Sequence, residues 1–252
     1  MRLPVALTIL ALAACDHGEK ATPSPALPPT PTASASAAPR SGLTLTRRSA
    51  AGHRYRIFAP GLRTRLALTT TRPDPAQASV LLAVAGTYTG PDDCVEGLFV
   101  VDGELRNAEP KPWEGALLLV DGRPHLLRFP DGVVAPATLT ELEARRGSLL
   151  QGHLLVHEKA ALPLKSSPAL QRRAVVTQGG AFAVFESEGP VELAAFAADL
   201  VTLGAEAALN LDMGTWSEGW YRRDDGTVAP LGDDHRATAR QSNWLIFLQG
   251  AS

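Results

Sequence analysis

An acidic side chain and an amide side chain stand together at the end of one apolar run. Asp212 directly follows the run Ala207–Leu211, and Asn210 lies two residues before it. A carboxylate that leaves a buried strand is held by that strand, while a loop can expose it in a cleft. Side chains two apart on a strand share a face, so an acid would lie beside an amide donor. The alternative is a turn-forming Asp with an Asn that satisfies backbone groups, and spacing alone favours that alternative.

Other residue patterns that could do chemistry are incomplete. His153 and His157 share a face of a predicted strand, but tetrahedral zinc needs further ligands and no local cluster provides them, so no metal site is predicted. Ser217 is preceded two residues earlier by Thr215 instead of the glycine of a nucleophile elbow. The chain also lacks a glycine-rich phosphate loop of the Walker or dinucleotide type. The sequence therefore identifies no cofactor and does not support a serine hydrolase.

Two segments have the pattern of helices. From Pro190 to Leu203 the apolar residues recur at helical spacing, and Gly204 follows at a position typical of a helix end. Thr138 and Glu141 fit a capping box at the start of a second helix, which Gly147 would end. The first of these helices is expected to pack one face on a sheet, just before the strand that carries Asp212.

Short apolar runs between turn signals predict most of the remaining elements. These runs are Arg54–Ala59, Arg65–Thr70, Val80–Val84, Gly97–Val101, Ala116–Val120, Leu149–Val156, Ala181–Phe185 and Trp244–Leu248. Asp-Gly pairs at 102–103, 121–122 and 225–226 favour tight hairpins between strands. We therefore predict a single α+β domain with a mixed β-sheet core, hairpins and two or three helices.

Charge and the amino terminus bound the partners and the compartment. With 24 Lys and Arg against 26 Asp and Glu in 252 residues and no sustained basic run, nucleic acid is not an expected partner. The apolar run after Arg2 ends in small residues before Cys15, and Leu12 to Cys15 resembles the bacterial lipobox. Residues 1–14 are thus predicted to be a lipoprotein signal peptide, and Cys15 is predicted to carry the lipid that anchors the protein to a membrane.

The chain after the lipidation site divides into a spacer and a folded part. Residues 15–42 are rich in Pro, Ala, Ser and Thr, which predicts an extended tether, and 43–252 would form the domain. We expect this domain to lie outside the cytoplasm, at the bacterial cell envelope. Cys94 would then have no partner, and a buried structural thiol is expected there.

Several ordered motifs resemble the phosphodiester glycosidases related to the lysosomal uncovering enzyme. The resemblance spans roughly residues 81 to 247. Its motifs are Ala85-Gly86-Thr87-Tyr88-Thr89, Gly97-Leu98-Phe99-Val100-Val101-Asp102-Gly103, Gln151-Gly152-His153-Leu154-Leu155-Val156, Arg172-Arg173-Ala174-Val175-Val176, Phe196-Ala197-Ala198-Asp199-Leu200, Ala208-Leu209-Asn210-Leu211-Asp212-Met213-Gly214 and Ser242-Asn243-Trp244-Leu245. Each motif alone is weak, but their order and spacing are specific.

The resemblance implies hydrolysis of a sugar-1-phosphodiester in envelope or extracellular glycans. Asp212 would face the sugar as nucleophile, as base for water or as a hydroxyl-binding group, and Asn210 would orient it or donate to the substrate. Arg172 or Arg173 would clamp the phosphate, since a guanidinium matches phosphate oxygens bidentately. A solvated arginine pair at a strand start explains the same residues equally well. The remaining substrate-binding positions implied by the motifs are Gly86, Gly152 and Gly214.

Three departures from the family pattern support a second hypothesis. Ala85 replaces an Asn, His153 replaces a Pro, and Met213 replaces a Gly. Loss of the Asn removes a donor and an acceptor, and a Met in place of Gly blocks close approach of the backbone to a ligand. The alternative function is therefore a non-catalytic glycan-binding or envelope-scaffold lipoprotein.

Overall fold

The computed structural model describes residues 42–213, 217–232 and 238–250. The predicted signal peptide, the lipidation position Cys15 and all of the predicted tether except Gly42 lie outside the described residues, as does Gly214. Within the described part of the chain, no helix is long and apolar enough to cross a membrane.

The first half of the described chain contains ten strands and one α-helix. In chain order they are β1 (Leu43–Ala50), β2 (His53–Pro60), β3 (Thr64–Thr69), β4 (Val80–Ala85), β5 (Phe99–Val101), β6 (Glu104–Asn107), β7 (Gly115–Val120), β8 (Arg123–Arg128), α1 (Pro136–Ala144), β9 (Ser148–Gly152) and β10 (Leu154–His157).

The second half contains seven strands and a second α-helix. They are β11 (Ala160–Ala161), β12 (Arg173–Gln178), β13 (Ala181–Ser187), α2 (Leu193–Thr202), β14 (Ala207–Asn210), β15 (Gly219–Arg222), β16 (Val228–Leu231) and β17 (Trp244–Gln249).

The strands form three antiparallel sheets, so the prediction of an α+β fold on a mixed sheet is wrong. The first sheet has the order β1-β2-β13-β12-β14-β10-β11, the second β16-β15-β4-β17-β3 and the third β6-β5-β9-β7-β8. The molecule is a β-rich sandwich with two α-helices in the described residues. The physical reason is connectivity: tight turns join many successive strands, and parallel pairs would need longer crossovers than most of these links provide.

The Asp-Gly hairpins are where the sequence predicts them. The three turns join β5 to β6, β7 to β8 and β15 to β16 as antiparallel pairs. Asp121 and Gly122 have φ values of 51° and 70°, the positive dihedrals of a type I′ turn. This local chemistry sets the register of the two-stranded units, but it does not decide which units share a sheet.

A central core lies between the three sheets. Phe58 from the first sheet, Leu82 from the second and Leu117 from the third are all fully buried in it. Helix α2 covers the outer side of the first sheet and buries Phe196 and Leu200 there. Burial of such side chains stabilises the fold by about 1.5–3 kcal/mol each.

The two predicted helices form with altered ends. The segment 190–203 contains α2, which begins three residues later than predicted. The capping box prediction is wrong, because Ala135 is the N-cap of α1, Pro136 fills the first helical turn and Thr138 lies inside the helix.

The run predicted as one strand from Leu149 to Val156 is divided at His153. Its first part is β9 in the third sheet, and its second part is β10 in the first sheet. The break brings the third sheet next to the strand that precedes Asp212.

Candidate functional site

Three loops meet where strands of the three sheets end. The backbone N–H of Asp212 donates to the carbonyl of Gly86 (2.7 Å), which follows β4. The backbone N–H of Asn210 donates to the carbonyl of His153 (2.9 Å), between β9 and β10. The three motif segments that are far apart in sequence are therefore hydrogen-bonded into one unit.

The Asp212 carboxylate is buried in this unit, with 2% of the residue exposed. Its Oδ2 accepts a hydrogen bond from the backbone N–H of Thr89 (3.2 Å), and its Oδ1 accepts one from the N–H of Met213 (2.8 Å). Burial raises the pKa of Asp212 to about 7, although these two bonds and the charge of Arg173 oppose the increase. Both protonation states are populated near neutral pH, as proton transfer requires.

Asn210 connects the strand end to a tyrosine hydroxyl. Its Nδ2 donates to the hydroxyl oxygen of Tyr88 (2.8 Å), while its buried Oδ1 has no hydrogen-bond partner among the described residues. Burial and the Asp212 charge raise the pKa of Tyr88 to about 12, and Arg172 acts in the opposite direction. The Tyr88 hydroxyl therefore stays protonated and lies within the electrostatic influence of both the acid and the arginine.

Arg172 is a buried cation whose hydrogen-bond acceptors in the described residues are all neutral. Its Nε donates to the carbonyl of Val191 (3.1 Å), and its Nη2 donates to the carbonyl of Pro168 (2.6 Å) and to Ser167 Oγ (3.1 Å). Burial lowers its pKa, but from an ordinary value so high that the group stays charged. A positive charge held by neutral groups favours an anionic ligand.

Arg173 is fully buried and has a different environment. Its Nε donates to Glu186 Oε2 (2.6 Å), and its Nη2 also pairs with that carboxylate. The guanidinium further donates to the carbonyls of Ser217 (3.1 Å) and Glu218 (3.4 Å). Arg173 thus has a buried carboxylate partner, which it shares with Arg56, and it holds the chain that follows the Asp212 loop.

The two described glycines of the predicted site have different surroundings. A Cβ on Gly86 would overlap the Oδ1 of Asn243, so this position needs the absence of a side chain. A Cβ on Gly152 would make ordinary contacts, the nearest being 3.4 Å from the carbonyl oxygen of Asn210. Gly86 therefore acts through close packing.

Asn243 fixes the loop that follows Gly86. It accepts a hydrogen bond from the N–H of Thr87 (2.8 Å) through its Oδ1 and donates to the Thr87 carbonyl (2.9 Å) through its Nδ2. The residue is fully buried before β17. This clamp sets the position of Tyr88 and Thr89, the residues that touch Asn210 and Asp212.

Gln151 fixes the other side of the site. Its Oε1 accepts from the N–H groups of Leu98 (2.9 Å) and Lys111 (3.0 Å), and its Nε2 donates to the carbonyls of Trp113 (3.0 Å) and Gly132 (2.9 Å). One buried amide thereby orders the loop that carries Trp113.

An aromatic group borders the polar residues. The ring centroids of Tyr88 and Trp113 are 5.0 Å apart, those of Trp113 and His153 5.2 Å, and those of Tyr88 and His153 5.9 Å. All three residues are partly exposed. Burial lowers the pKa of His153, so its imidazole is mainly neutral at pH 7.

The structure places Asp212, Asn210 and Arg172 around Tyr88, and it adds several side chains that the sequence prediction does not include. Tyr88, Gln151 and Asn243 lie inside the quoted motifs, where each is a polar residue next to an apolar run. Trp113 lies outside the motifs and carried no signal of its own. Cys94 is exposed, so the prediction of a buried thiol is wrong.

The three departures sit close to these groups. Ala85 is fully buried at the end of β4, Met213 follows Asp212 and is partly exposed, and His153 contributes to the aromatic group. Among the described residues, no group of three or more His, Cys, Asp or Glu side chains could hold a metal ion.

The fold is similar to two solved structures. One is the catalytic domain of zebrafish N-acetylglucosamine-1-phosphodiester alpha-N-acetylglucosaminidase, auto-inhibited by its pro-peptide, with a TM-score of 0.59 and 14% identity over 87% of this chain and 86% of that one. The other is a hypothetical protein from Synechocystis, with a TM-score of 0.54 and 15% identity over 82% of this chain and 62% of that one.

Sequence comparisons add no closer relative. No family model matches the chain, and no curated protein matches it. At 14–15% identity the structural likeness shows the fold alone. The resemblance to phosphodiester glycosidases is therefore confirmed as a likeness of fold.

Proposed function

We propose that this protein hydrolyses a sugar-1-phosphodiester, with Asp212 and Arg172 as the principal groups. One observation carries the proposal. The buried Asp212 carboxyl, with a pKa of about 7, and the buried Arg172, with neutral partners, both lie close enough to Tyr88 to shift the pKa of its hydroxyl. A sugar-1-phosphodiester would offer an electrophilic carbon to the first group and an anion to the second. The fold likeness to a phosphodiester glycosidase catalytic domain supports the same substrate class.

The proposed reaction breaks the bond between the anomeric carbon and the phosphate oxygen. The phosphomonoester anion leaves with the bonding electrons and needs no proton, because the phosphate group stabilises the negative charge. Ionised Asp212 removes a proton from water as the water oxygen bonds to the anomeric carbon, which yields the free sugar. Arg172 binds the phosphate oxygens throughout, and Asn210 orients the sugar or the tyrosine.

In this proposal the phosphate role belongs to Arg172 alone. The guanidinium of Arg173 has its carboxylate partner in Glu186 and contacts backbone carbonyls around it. We assign Arg173 to positioning the loop after Asp212. Gly86 supports the site by allowing the Asn243 clamp, and Gly152 lies against the strand end at Asn210.

The departures at Ala85 and Met213 favour a second candidate, a non-catalytic glycan-binding lipoprotein. The fully buried methyl of Ala85 offers no hydrogen-bonding group to the site. In either case we propose that lipid on Cys15 holds the domain at the cell envelope, outside the cytoplasm.

The test is hydrolysis of phenyl phosphodiesters of α-glucose 1-phosphate and α-N-acetylglucosamine 1-phosphate in water enriched in ¹⁸O. The proposal predicts free sugar and phenyl phosphate, with the label in the sugar. Asp212→Asn should reduce turnover by at least about a thousandfold, while Asp224→Asn, which changes an exposed acid, should leave turnover unchanged.

The other outcomes decide between the two candidates. Label in the phosphate would mean phosphodiester cleavage at phosphorus and would refute the glycosidase. Saturable sugar-phosphate binding without turnover would favour the binding protein.

A further inference from the structure

Trp113 and His153 form an open aromatic pair beside the polar site. Their rings are tilted by 49° with centroids 5.2 Å apart, and part of each residue is exposed. Tyr88 packs at a steep angle against both, at 63° to Trp113 and 70° to His153. The pair therefore extends the site outward from the tyrosine that contacts Asn210.

Both rings are held in place by contacts deeper in the protein. The carbonyl of Trp113 accepts a hydrogen bond from buried Gln151, and one edge of the indole lies where a Cβ on Gly97 would be. The carbonyl of His153 accepts from the N–H of Asn210. A preorganised aromatic surface binds a ligand without the entropic cost of ordering flexible side chains.

The inner end of this surface offers an unused acceptor. Asn210 is 5% exposed, and its Nδ2 donates to Tyr88, while no group in the described part of the chain donates to its Oδ1. A buried acceptor without a donor costs free energy, and a ligand hydroxyl that reached it would remove that cost. An apolar surface next to an unfilled acceptor matches a sugar, which has C–H faces and hydroxyl edges.

We propose that Trp113 and His153 are a stacking subsite for the pyranose ring of the ligand, with a ring hydroxyl donating to Asn210 Oδ1. This deepens the proposed function and rests on it for the identity of the anionic group bound at Arg172. The subsite favours sugar phosphodiesters over simple alkyl phosphodiesters, because an alkyl group lacks the pyranose ring that covers the aromatic pair.

The neutral state of His153 suits this role. Arg172 is the group that we propose for phosphate, and a second cation at the subsite would attract the same anion to the wrong place. A neutral imidazole instead presents an aromatic ring and a hydrogen-bonding nitrogen to the sugar. Among the described acids, Glu114, which follows Trp113 in the sequence, has a charge that opposes the lowering of the His153 pKa by burial.

The experiment measures binding in the Asp212→Asn background of the full-length protein in detergent. The probes are α-glucose 1-phosphate, methyl α-glucoside and inorganic phosphate. Their binding is measured by calorimetry and, for the two sugars, by saturation-transfer NMR on the sugar protons. Trp113→Ala should weaken binding of α-glucose 1-phosphate about tenfold and leave inorganic phosphate unchanged. Trp113→Phe should retain most of the affinity.

Matched variants keep the result interpretable. His153→Ala should weaken sugar binding severalfold, whereas His157→Ala, four residues away at the end of β10, should not. Equal loss of sugar phosphate and inorganic phosphate affinity in Trp113→Ala, or no loss in a folded variant, would overturn the subsite. If Trp113→Ala does not fold, His153→Ala against His157→Ala decides the question.

Failure of the subsite is distinguishable from failure of the proposed function. An inactive wild-type protein that still binds α-glucose 1-phosphate through Trp113 would refute the glycosidase and support the subsite. An active enzyme whose KM does not change in Trp113→Ala would do the reverse.

Discussion

Arg172 and Arg173 are consecutive in the sequence, yet within the described residues only Arg173 has a carboxylate partner. Arg173 and Glu186 are paired across β12 and β13, and both are fully buried. Arg172 precedes β12, and its guanidinium donates to neutral groups around Pro168 and Val191. Arg173 belongs to an internal ion-pair network with Glu186 and Arg56, and its neighbour Arg172 has the charge to bind an anion.

This difference predicts that the same substitution affects ligand binding at Arg172 and protein stability at Arg173. Arg172→Met should lower the affinity for α-glucose 1-phosphate by at least about tenfold and change stability little by comparison. Arg173→Met should destabilise the fold by about 2–3 kcal/mol, because Glu186 would lose the fully buried one of its two arginine partners and keep only the partly exposed Arg56. Urea unfolding and calorimetric titration of both variants check the prediction. Equal stability loss in the two would contradict the distinction between them.

The sequence predicts the local parts of this site better than their assembly. Asp-Gly turns and apolar runs locate most strands, because hairpin dihedrals and strand burial depend on residues that are close in sequence. The ends of α2 and the strand before Asp212 are near their predicted positions. The prediction of the sheet arrangement was wrong, because contacts between residues distant in sequence decide which hairpins share a sheet.

The site residues that the sequence does not reveal are those whose roles depend on distant parts of the chain. Asn243 and Gln151 bond backbone groups of loops far away in sequence, as in the bond from Gln151 to Gly132. Nothing in the spacing of a buried amide tells which loop it holds. Trp113 gains its position from that bond network, so its place beside Tyr88 and His153 is a property of the folded chain.

The pH dependence of catalysis follows from the raised pKa of Asp212, about 7. In the proposed reaction the ionised form is active, so kcat/KM should rise about tenfold per pH unit below pH 7 and level off above it. Measurement of kcat/KM from pH 5 to 9 gives this profile, with Asp224→Asn as the reference variant. Activity that falls above pH 7 would instead assign Asp212 as a general acid.

The contact between Gly86 and Asn243 predicts a non-additive pair. Gly86→Ala should destabilise the protein by about 1–3 kcal/mol, because the new methyl would meet the amide oxygen of Asn243. In an Asn243→Ala background the same change should cost clearly less, which a double-mutant cycle by urea unfolding measures. Gly189→Ala is the matched reference, since Gly189, like Gly86, has no positive φ, and a Cβ there would have no contact within 4 Å. Additive costs at Gly86 and Asn243 would show that the close packing has no energetic consequence.

Lipid anchoring at Cys15 is testable independently of the site. Expression of the full chain in a Gram-negative host should give a membrane-bound protein that incorporates labelled palmitate, and Cys15→Ser should abolish both properties. Cys94→Ser is the matched control, because it removes the exposed cysteine of the folded domain. Palmitate incorporation that depends on Cys94 would refute the predicted lipidation site.

Asp212 also predicts how stability changes with pH. Its pKa is about 7 in the folded protein and 3.8 for the ordinary carboxyl, so between these values the folded state binds a proton that the unfolded state has lost. Stability must therefore fall as pH rises through this range, by up to about 4 kcal/mol at about 1.4 kcal/mol per pKa unit.

Comparison with Asp212→Asn isolates this contribution from that of every other group. The asparagine does not ionise, but its amide loses one of the two backbone bonds, so the variant should be less stable than wild type at pH 4.5. As the pH rises to 8, wild type should lose stability relative to the variant, and the difference should shrink or reverse. Urea unfolding at both pH values measures the change, and a difference that stays constant would mean that Asp212 titrates normally. In that case burial would not control the carboxyl, and the proposed base would lose its physical foundation.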